Sequence, residues 1–349
     1  MTTALVAGAL ANKPGNAGNA WSRLSWVRGL QRLGVEVAFV EQLDAPTDAQ
    51  RAWFDEVVDA AGWLVSPGEP PPDDLRAAAA DADLLLNIGG QLTIPELLRA
   101  PRRRVYLDDD PGYTQLWRVR LEEHDVFFTF GANIGEPGCA IPTCGLEWRP
   151  TRPPVVLDDW PVVANGAVDR FTTVATWRHP YGRVNGYGQK LDEFRRFIEL
   201  PRRSSQRFEL ALDIHPHETP DLDRLAANDW TVVAPPPTPG AFREYVQHSG
   251  AEFSAAQGLY VETRSGWFSD RSVRYLASGK PVVVQETGFS RTVPAGEGLV
   301  AFTTLDEAVA GVEAVAADPA RHARAARALA EEWFDSDAVV GAVLEDALA

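Results

Sequence analysis

The chain has 349 residues, 45% hydrophobic and 23% charged, a balance that suits a globular protein of two ordinary domains rather than a single core. Its formal net charge of −16 argues against a broad surface for nucleic acid or anionic membrane, because both need a net basic face. Lysine occurs only at Lys13, Lys190 and Lys280, so arginine carries nearly all the positive charge and any anion-binding pocket must be local.

The N-terminal stretch MTTALVAGALANKPGNAGNAW has no basic leader, and no later segment reaches the ~20 apolar residues of a membrane span. A cytoplasmic protein without an integral membrane segment is the expectation. Residues 4–9 read as a strand, NKPGNAGN (12–19) as a glycine-bearing loop, 20–33 as a helix ended by Gly34, and 35–40 as a strand. This is a β-α-β unit, and further strands are expected at 84–88, 104–107 and 126–130. Residues 149–165, RPTRPPVVLDDWPVVAN, are proline-rich in the way of an interdomain linker.

A strand at 171–176 then leads into the loop WRHPYGRVNGYGQK (177–190) and an amphipathic helix, with more strands at 208–214 and 230–233. Ser269 as N-cap, Asp270 in the first turn and the Gly279–Pro281 stop predict a helix over 270–278 with one face in the core, between strands at 259–261 and 282–284. Phe268 and Val273 have the spacing of a hydrophobic staple. Helices at 305–315, 319–332 and 338–348 close the chain. The expected fold is α/β, with Rossmann-like doubly wound domains at 1–155 and 166–332 and a helix within 333–349 that packs back on the first domain. Two such domains in sequence place a cleft between two sets of strand carboxyl ends, the usual position of a small-molecule site.

The N-terminus of the helix at 270 attracts anions through its free N–H groups and dipole. Arg264, Ser265 and Gly266 before the cap and Arg271 in the first turn favour a diphosphate there, and Gly266 would admit a ligand close to the backbone. Asp270 accepts from sugar or ribose hydroxyls, or serves only the dipole. An ordinary packed helix explains the same residues. The loop at 12–19 is neither GxGxxG nor a Walker A sequence. In it Asn16, Gly18 and Asn19 touch a ligand, or simply make a β-α turn.

Asp108, Asp109 and Asp110 follow a strand and precede Pro-Gly, which allows a general base, a metal-binding acidic motif or plain turn-forming acids. Asp110 is the first choice as a base, with His124 as a rival. His215, His217 and Glu218 lack a third strong metal ligand in register. No metal site is expected. Cys139 and Cys144, with no histidine cluster nearby, are expected as reduced structural thiols. Trp21, Trp26 and Trp117 fall near the inferred cleft, where aromatic faces can hold an acceptor.

The stretch AEFSAAQGLYVETRSGWFSDRSVRYLASGKPVVVQETGFSRTVPAGEGLVAF (251–302) resembles the donor-binding half of bacterial glycosyltransferases of the two-Rossmann-domain GT-B class. It is most similar to bacterial family 1-like proteins carrying comparable GWFSDRS, YLASG-[KR]-PVV and GEGL segments. YLDDDPGYTQ, FTFGANIGEPGC and WRPTRPPVVLD extend the similarity over most of the chain. Gln257 departs from the lysine expected in that group, and Arg274 stands where the commonest retaining signature has a glutamate.

The resemblance implies a metal-independent transfer of a sugar from a nucleotide diphosphate donor to an unidentified acceptor, with the donor as substrate and no cofactor. It places Arg178, Lys190, Ser269, Asp270 and Arg271 on the donor diphosphate, and Gly266, Gly296, Glu297 and Gly298 in loops of the donor cleft. It implies that Asn16, Gly18 and Asn19 meet the sugar or acceptor, and that Asp110 is the base. A nucleotide-sugar epimerase on the same architecture and a non-catalytic two-lobed binding protein are the alternatives.

Overall fold

The computed structural model describes residues 1–117, 121–164, 168–178 and 182–349. Residues 179–181 of the loop expected at 177–190, the last linker residue Asn165 and the expected domain start at 166 lie outside the described residues. The chain divides into two units. The first comprises Met1–Ala132, Pro142–Val156 and Asp335–Ala349, and the second Asn133–Ile141 and Leu157–Phe334.

The first unit carries a parallel sheet of β1 (Thr3–Ala7), β2 (Glu36–Gln42), β3 (Ala61–Val65), β4 (Leu84–Ile88), β5 (Arg103–Asp108), β6 (Val126–Thr129) and β7 (Trp148–Pro150). Its order is β3-β2-β1-β4-β5-β6-β7, so the winding reverses between β1 and β4. Leu5, Val40, Leu85, Leu75 and Leu97 form one apolar layer against it. The expected strands appear within a residue or two, whereas β3 and β7 were not anticipated. Trp148-Arg149-Pro150 belongs to the proline-rich run, and as an edge strand beside β6 it tolerates the missing proline N–H.

The helix Ala17–Arg32 follows β1, and the last helix, Ser336–Leu348, packs on it. Gly29 makes that approach possible: a Cβ there would lie 2.8 Å from Val340 Cγ2. Arg32 also grips Asp337, with Nε and Nη2 donating to the two carboxylate oxygens at 2.7 and 3.0 Å.

The second unit repeats the winding with β8 (Phe171–Thr176), β9 (Phe208–Asp213), β10 (Trp230–Val233), β11 (Ala251–Ser254), β12 (Val282–Gln285) and β13 (Leu299–Phe302), in the order β10-β9-β8-β11-β12-β13 and parallel throughout. Phe194, Phe208, Trp230 and Phe253 anchor its core. Residues 259–261 are not a strand, because they lie in the helix Gly258–Thr263; a short apolar run does not by itself separate the two states. The strand is β11, Ala-Glu-Phe-Ser, whose buried Glu252 interrupts the hydrophobic pattern. β13 was likewise not anticipated.

The helix Asp270–Ala277 ends in a Schellman motif, with Gly279 N–H donating to Leu276 O and Lys280 N–H to Tyr275 O, both at 2.9 Å. Gly279 has φ +70°, which glycine adopts at little cost. The helix is not amphipathic in use, for every residue from Arg271 to Ala277 is buried. It lies between the sheet and the helices Pro319–Trp333 and Pro239–Gln247. Two of its polar side chains find partners inside the unit: Tyr275 OH meets Thr172 Oγ1 at 2.7 Å, and Arg274 Nη1 meets Asp270 Oδ2 at 2.9 Å. Phe268, expected to staple the helix, packs its ring on Phe289 and Phe334.

Candidate functional site

In the second unit a small, open pocket lies where β11 and β12 end. Ser254, Ala255 and Ala256 form one wall, Val284, Gln285, Thr287 and Phe289 another, and the loop Trp267, Phe268, Ser269 with Ser272 the third. This is the carboxyl end of a doubly wound parallel sheet, beside the reversal of winding between β8 and β11, the end at which such sheets take small ligands. The N-terminus of the helix Asp270–Ala277 stands at its edge. Ser269 occupies the cap position, yet its hydroxyl makes no capping bond. Ser272 Oγ is buried with no hydrogen-bond partner among the described residues. Helix N–H groups and serine hydroxyls thus remain available to an acceptor-rich ligand.

Arg271 is not one of the groups available there. Its guanidinium turns under the helix, with Nε on Glu252 Oε1 at 2.5 Å, Nη2 on Ser254 Oγ at 2.5 Å and Nη1 on Val174 O at 3.0 Å. Glu252 is wholly buried, so it needs this cation, and the arginine neutralises the sheet rather than a diphosphate. Burial works against the charge on Arg271, and Glu252 more than compensates, so its pKa lies above the ordinary value. Asp270 behaves similarly: burial opposes ionisation, but Arg274 and Arg271 keep its pKa below the usual carboxylate range.

Gly266 has φ +79° and approaches protein rather than ligand, since a Cβ there would lie 2.9 Å from the backbone nitrogen of Asn133. Gly296, Glu297 and Gly298 lie at the opposite end of the sheet. They precede β13, and Val282 N–H at the start of β12 bonds to Gly298 O at 2.9 Å. Glu297 pairs with Arg321, and Gly298 N–H donates to His322 Nδ1 at 3.1 Å. A loop entering a parallel strand is a full strand length from the loops leaving it, which removes all three residues from the pocket.

Arg178 follows β8 and is held by Glu218 through both Nε and Nη2, the second bond at 2.8 Å. The side chain stays half exposed. Glu218 is the main reason that its pKa is raised. Lys190 opens the helix Lys190–Arg196, and its backbone N–H donates to Gln257 Oε1 at 2.7 Å. Gln257 therefore holds a helix start directly after Ala255 and Ala256 of the pocket wall. His215 and His217 stack edge to face at 4.7 Å in an exposed turn. Among the described residues no group of three or more His, Cys, Asp or Glu is arranged to hold a metal.

In the first unit Asn16 Oδ1 caps the helix Ala17–Arg32 by accepting from Asn19 N–H at 3.1 Å, and Asn19 Nδ2 bonds to Ala9 O at 2.7 Å. Gly18 is inside that helix. Asn16 and Asn19 are therefore both engaged with backbone groups of the chain itself. Trp21 and Trp26 are buried, and Trp117 is 44% exposed.

Among the three aspartates, the structure separates the roles. Asp108 is buried and accepts from Thr114 Oγ1 at 3.0 Å, Gln115 Nε2 at 2.8 Å and Thr129 Oγ1 at 2.8 Å. Burial outweighs these donors and pushes its pKa up to about 7. Asp109 pairs with Arg23 at 3.1 Å, and Asp110 is exposed. His124 is a packing residue: its Nε2 is 3.0 Å from Asn87 Nδ2, its ring meets Tyr106 edge on, and burial lowers its pKa. Cys139 and Cys144 are free thiols, the second exposed.

Glu252, Ser272 and Asn133 were missed in the sequence. Glu252 had a signal, an acid inside an otherwise β-like run, whereas Ser272 and Asn133 had none.

No protein-family model and no curated protein sequence matches the chain. Solved structures do. HepE of Anabaena, in complex with UDP-glucose, is 14% identical at a TM-score of 0.63 over 99% of this chain and 100% of that one. AviGT4, a glycosyltransferase involved in avilamycin A biosynthesis, is 13% identical at 0.60 over 99% and 97%. The UDP-GlcNAc 2-epimerase of Neisseria meningitidis, bound to UDP-GlcNAc, is 13% identical at 0.50 over 99% of both chains. At these identities the likeness is one of fold: the chain has two parallel-sheet α/β units of GT-B type.

Proposed function

We propose that the protein is a glycosyltransferase that moves a sugar, of hexose type, from a nucleotide diphosphate donor to a small-molecule or other acceptor. The observation that carries this reading is the pocket at the ends of β11 and β12, with an uncapped helix N-terminus and the unpartnered Ser272 Oγ at its wall. Solved proteins of the same fold hold UDP-glucose and UDP-GlcNAc.

In this reading the second unit takes the donor. The helix N-terminus with Ser269 and Ser272 receives phosphate oxygens, and Asp270, kept ionised by its arginines, accepts from a donor hydroxyl. Arg178 and Lys190 supply the cations that stabilise the departing diphosphate, the place where negative charge grows as the sugar–phosphate bond breaks. Protein cations and a helix terminus do this work without a metal. Asp110 is the base for the acceptor hydroxyl. Among the described residues no helix is long and apolar enough to cross a membrane.

The epimerase of the same fold favours a second reading, release of nucleotide with an altered sugar and no acceptor. A thermal-shift panel of UDP, TDP, GDP and ADP, with and without Mg²⁺, names the nucleotide, because a ligand of the native state raises its stability. Turnover of the matching nucleotide-sugars then separates the readings. Acceptor-dependent nucleotide release supports transfer; acceptor-independent release with an epimerised sugar supports the second reading. No stabilisation by any nucleotide at millimolar concentration would overturn both.

A further inference from the structure

Residues Asn133–Ile141 belong to the second unit although Ala132 and Pro142, on either side, belong to the first. This strap reads NIGEPGCAI, and its deepest residue is Asn133, only 2% exposed. Its side-chain Nδ2 donates to Arg264 O at 2.9 Å and to Gly288 O at 3.0 Å. Its backbone N–H donates to Ser265 O at 3.0 Å. One residue thus binds the loop that leads to Trp267 and Ser269 and the turn that leads to Phe289, two separate walls of the pocket.

The surrounding sequence is cut to admit it. Gly288 has φ +94°, and a Cβ on it would lie 2.5 Å from Asn133 Nδ2 and 2.9 Å from Arg264 O. A Cβ on Gly266 would lie 2.9 Å from Asn133 Cγ. Arg264 itself adopts a left-handed φ of +53°, uncommon for a residue with a side chain, and its carbonyl is one of the two that Asn133 secures. Further along the strap, Ala140 N–H donates to Thr263 O at 3.0 Å and Arg291 Nη1 to Pro137 O at 3.1 Å.

We propose that Asn133 is a positioning residue of the nucleotide pocket, clamping the 264–269 loop to the 286–289 turn at the spacing the ligand requires. This rests on the donor-site reading above. The two glycines serve the clamp, not the ligand, and the two N–H bonds of one amide set the distance between the walls. Gly266 N–H to Thr287 O, at 2.8 Å, then closes a cross-link already in register. Asparagine alone fits: aspartate has the same shape but would set oxygen against two carbonyl oxygens.

The test uses the full chain with Asn133→Ala and Asn133→Asp, the second keeping the shape if the first fails to fold. Amide hydrogen exchange is followed in 264–269 and 286–290, with 171–176 as the distant control, and affinity is titrated with UDP and with TDP, GDP and ADP. The expected result is exchange at least about tenfold faster in the two wall segments alone, and nucleotide affinity weakened by about tenfold, the scale of one lost hydrogen bond. For Asn133→Asp, affinity recovers in part at acid pH, as the protonated carboxyl regains a donor. A merely structural asparagine would speed exchange throughout the unit and leave affinity of the folded protein unchanged, which would overturn the proposal. Unchanged exchange in the walls would overturn it too. Failure of the wild type to bind any nucleotide would instead sink the donor-site reading, while the exchange arm would still decide whether Asn133 is the clamp.

Discussion

Arg271 Nε lies 2.5 Å from Glu252 Oε1, beneath the first turn of the helix Asp270–Ala277, and joins that helix to β11 through a buried charge pair. Removing one partner leaves the other charged and unpaired in the core. Arg271→Met should therefore destabilise the protein by about 3–5 kcal/mol, while Arg271→Met combined with Glu252→Gln should recover most of the loss. Urea denaturation of the two variants and the wild type measures both effects. Equal loss in the single and double variants would show that shape, not charge, dominates.

Asp108 makes stability depend on pH in an unusual direction. Its folded pKa of about 7 stands above the ordinary 3.8, so between those values the folded protein holds a proton that the unfolded chain has released. This residue's contribution to stability therefore falls as pH rises from about 4 to about 7 and is level above that, a total of roughly 4 kcal/mol. Asp108→Asn should flatten the profile in that window, as thermal midpoints at matched ionic strength would show.

Lysine 280 acts at the other end of the pH scale. It is buried, its Nζ donates to Val163 O at 2.6 Å, and burial lowers its pKa to about 8. Between about pH 8 and the ordinary 10.5 the unfolded chain holds a proton that the folded protein has released, so this residue's contribution to stability rises across that window and is level below it. Lys280→Met should remove that rise; denaturation curves across the range would report it.

In the donor-site reading Lys190→Ala and Arg178→Ala should each weaken nucleoside-diphosphate binding about tenfold to a hundredfold, the range for hydrogen bonds to charged groups. Arg178 is already engaged by Glu218, so Glu218→Gln should strengthen binding slightly by freeing it. Calorimetric titration with the nucleotide identified by thermal shift measures all three. Unaltered affinity in Lys190→Ala and Arg178→Ala would place the diphosphate elsewhere.

Gly29→Leu should detach the helix Ser336–Leu348 from Ala17–Arg32, because even a Cβ at that position reaches Val340. The cost expected of such overpacking is about 1–3 kcal/mol, and Val340→Ala in the same chain should return part of it. Thermal denaturation of the single and double variants decides the point.

The alternation of short apolar runs with glycine-ended helices made most strands visible in the sequence, since strands buried on both faces are nearly continuous hydrophobic segments. β11 was hidden by Glu252, whose partner Arg271 is 19 residues away and looked like a ligand residue. β7 was hidden by the proline that ends it. The start of the helix at 270 was legible from its cap signals, but whether an arginine in its first turn faces outward or into the sheet depends on what lies beneath. The glycines misled for a related reason. A close approach to the backbone at Gly266 was a sound inference, but the group that makes it comes from a segment 133 residues earlier in the chain. The GEGL loop was assigned to the cleft by the family resemblance, and only strand direction places it at the far end of the sheet.

The helix Ser336–Leu348 belongs to the first unit, and every residue between 157 and 334 belongs to the second. During synthesis, then, the second sheet has all its strands before the first unit receives its last helix. Until residues 336–348 leave the ribosome, the Gly29 face of Ala17–Arg32 stays uncovered, and the earliest-made part of the chain is the latest to be completed.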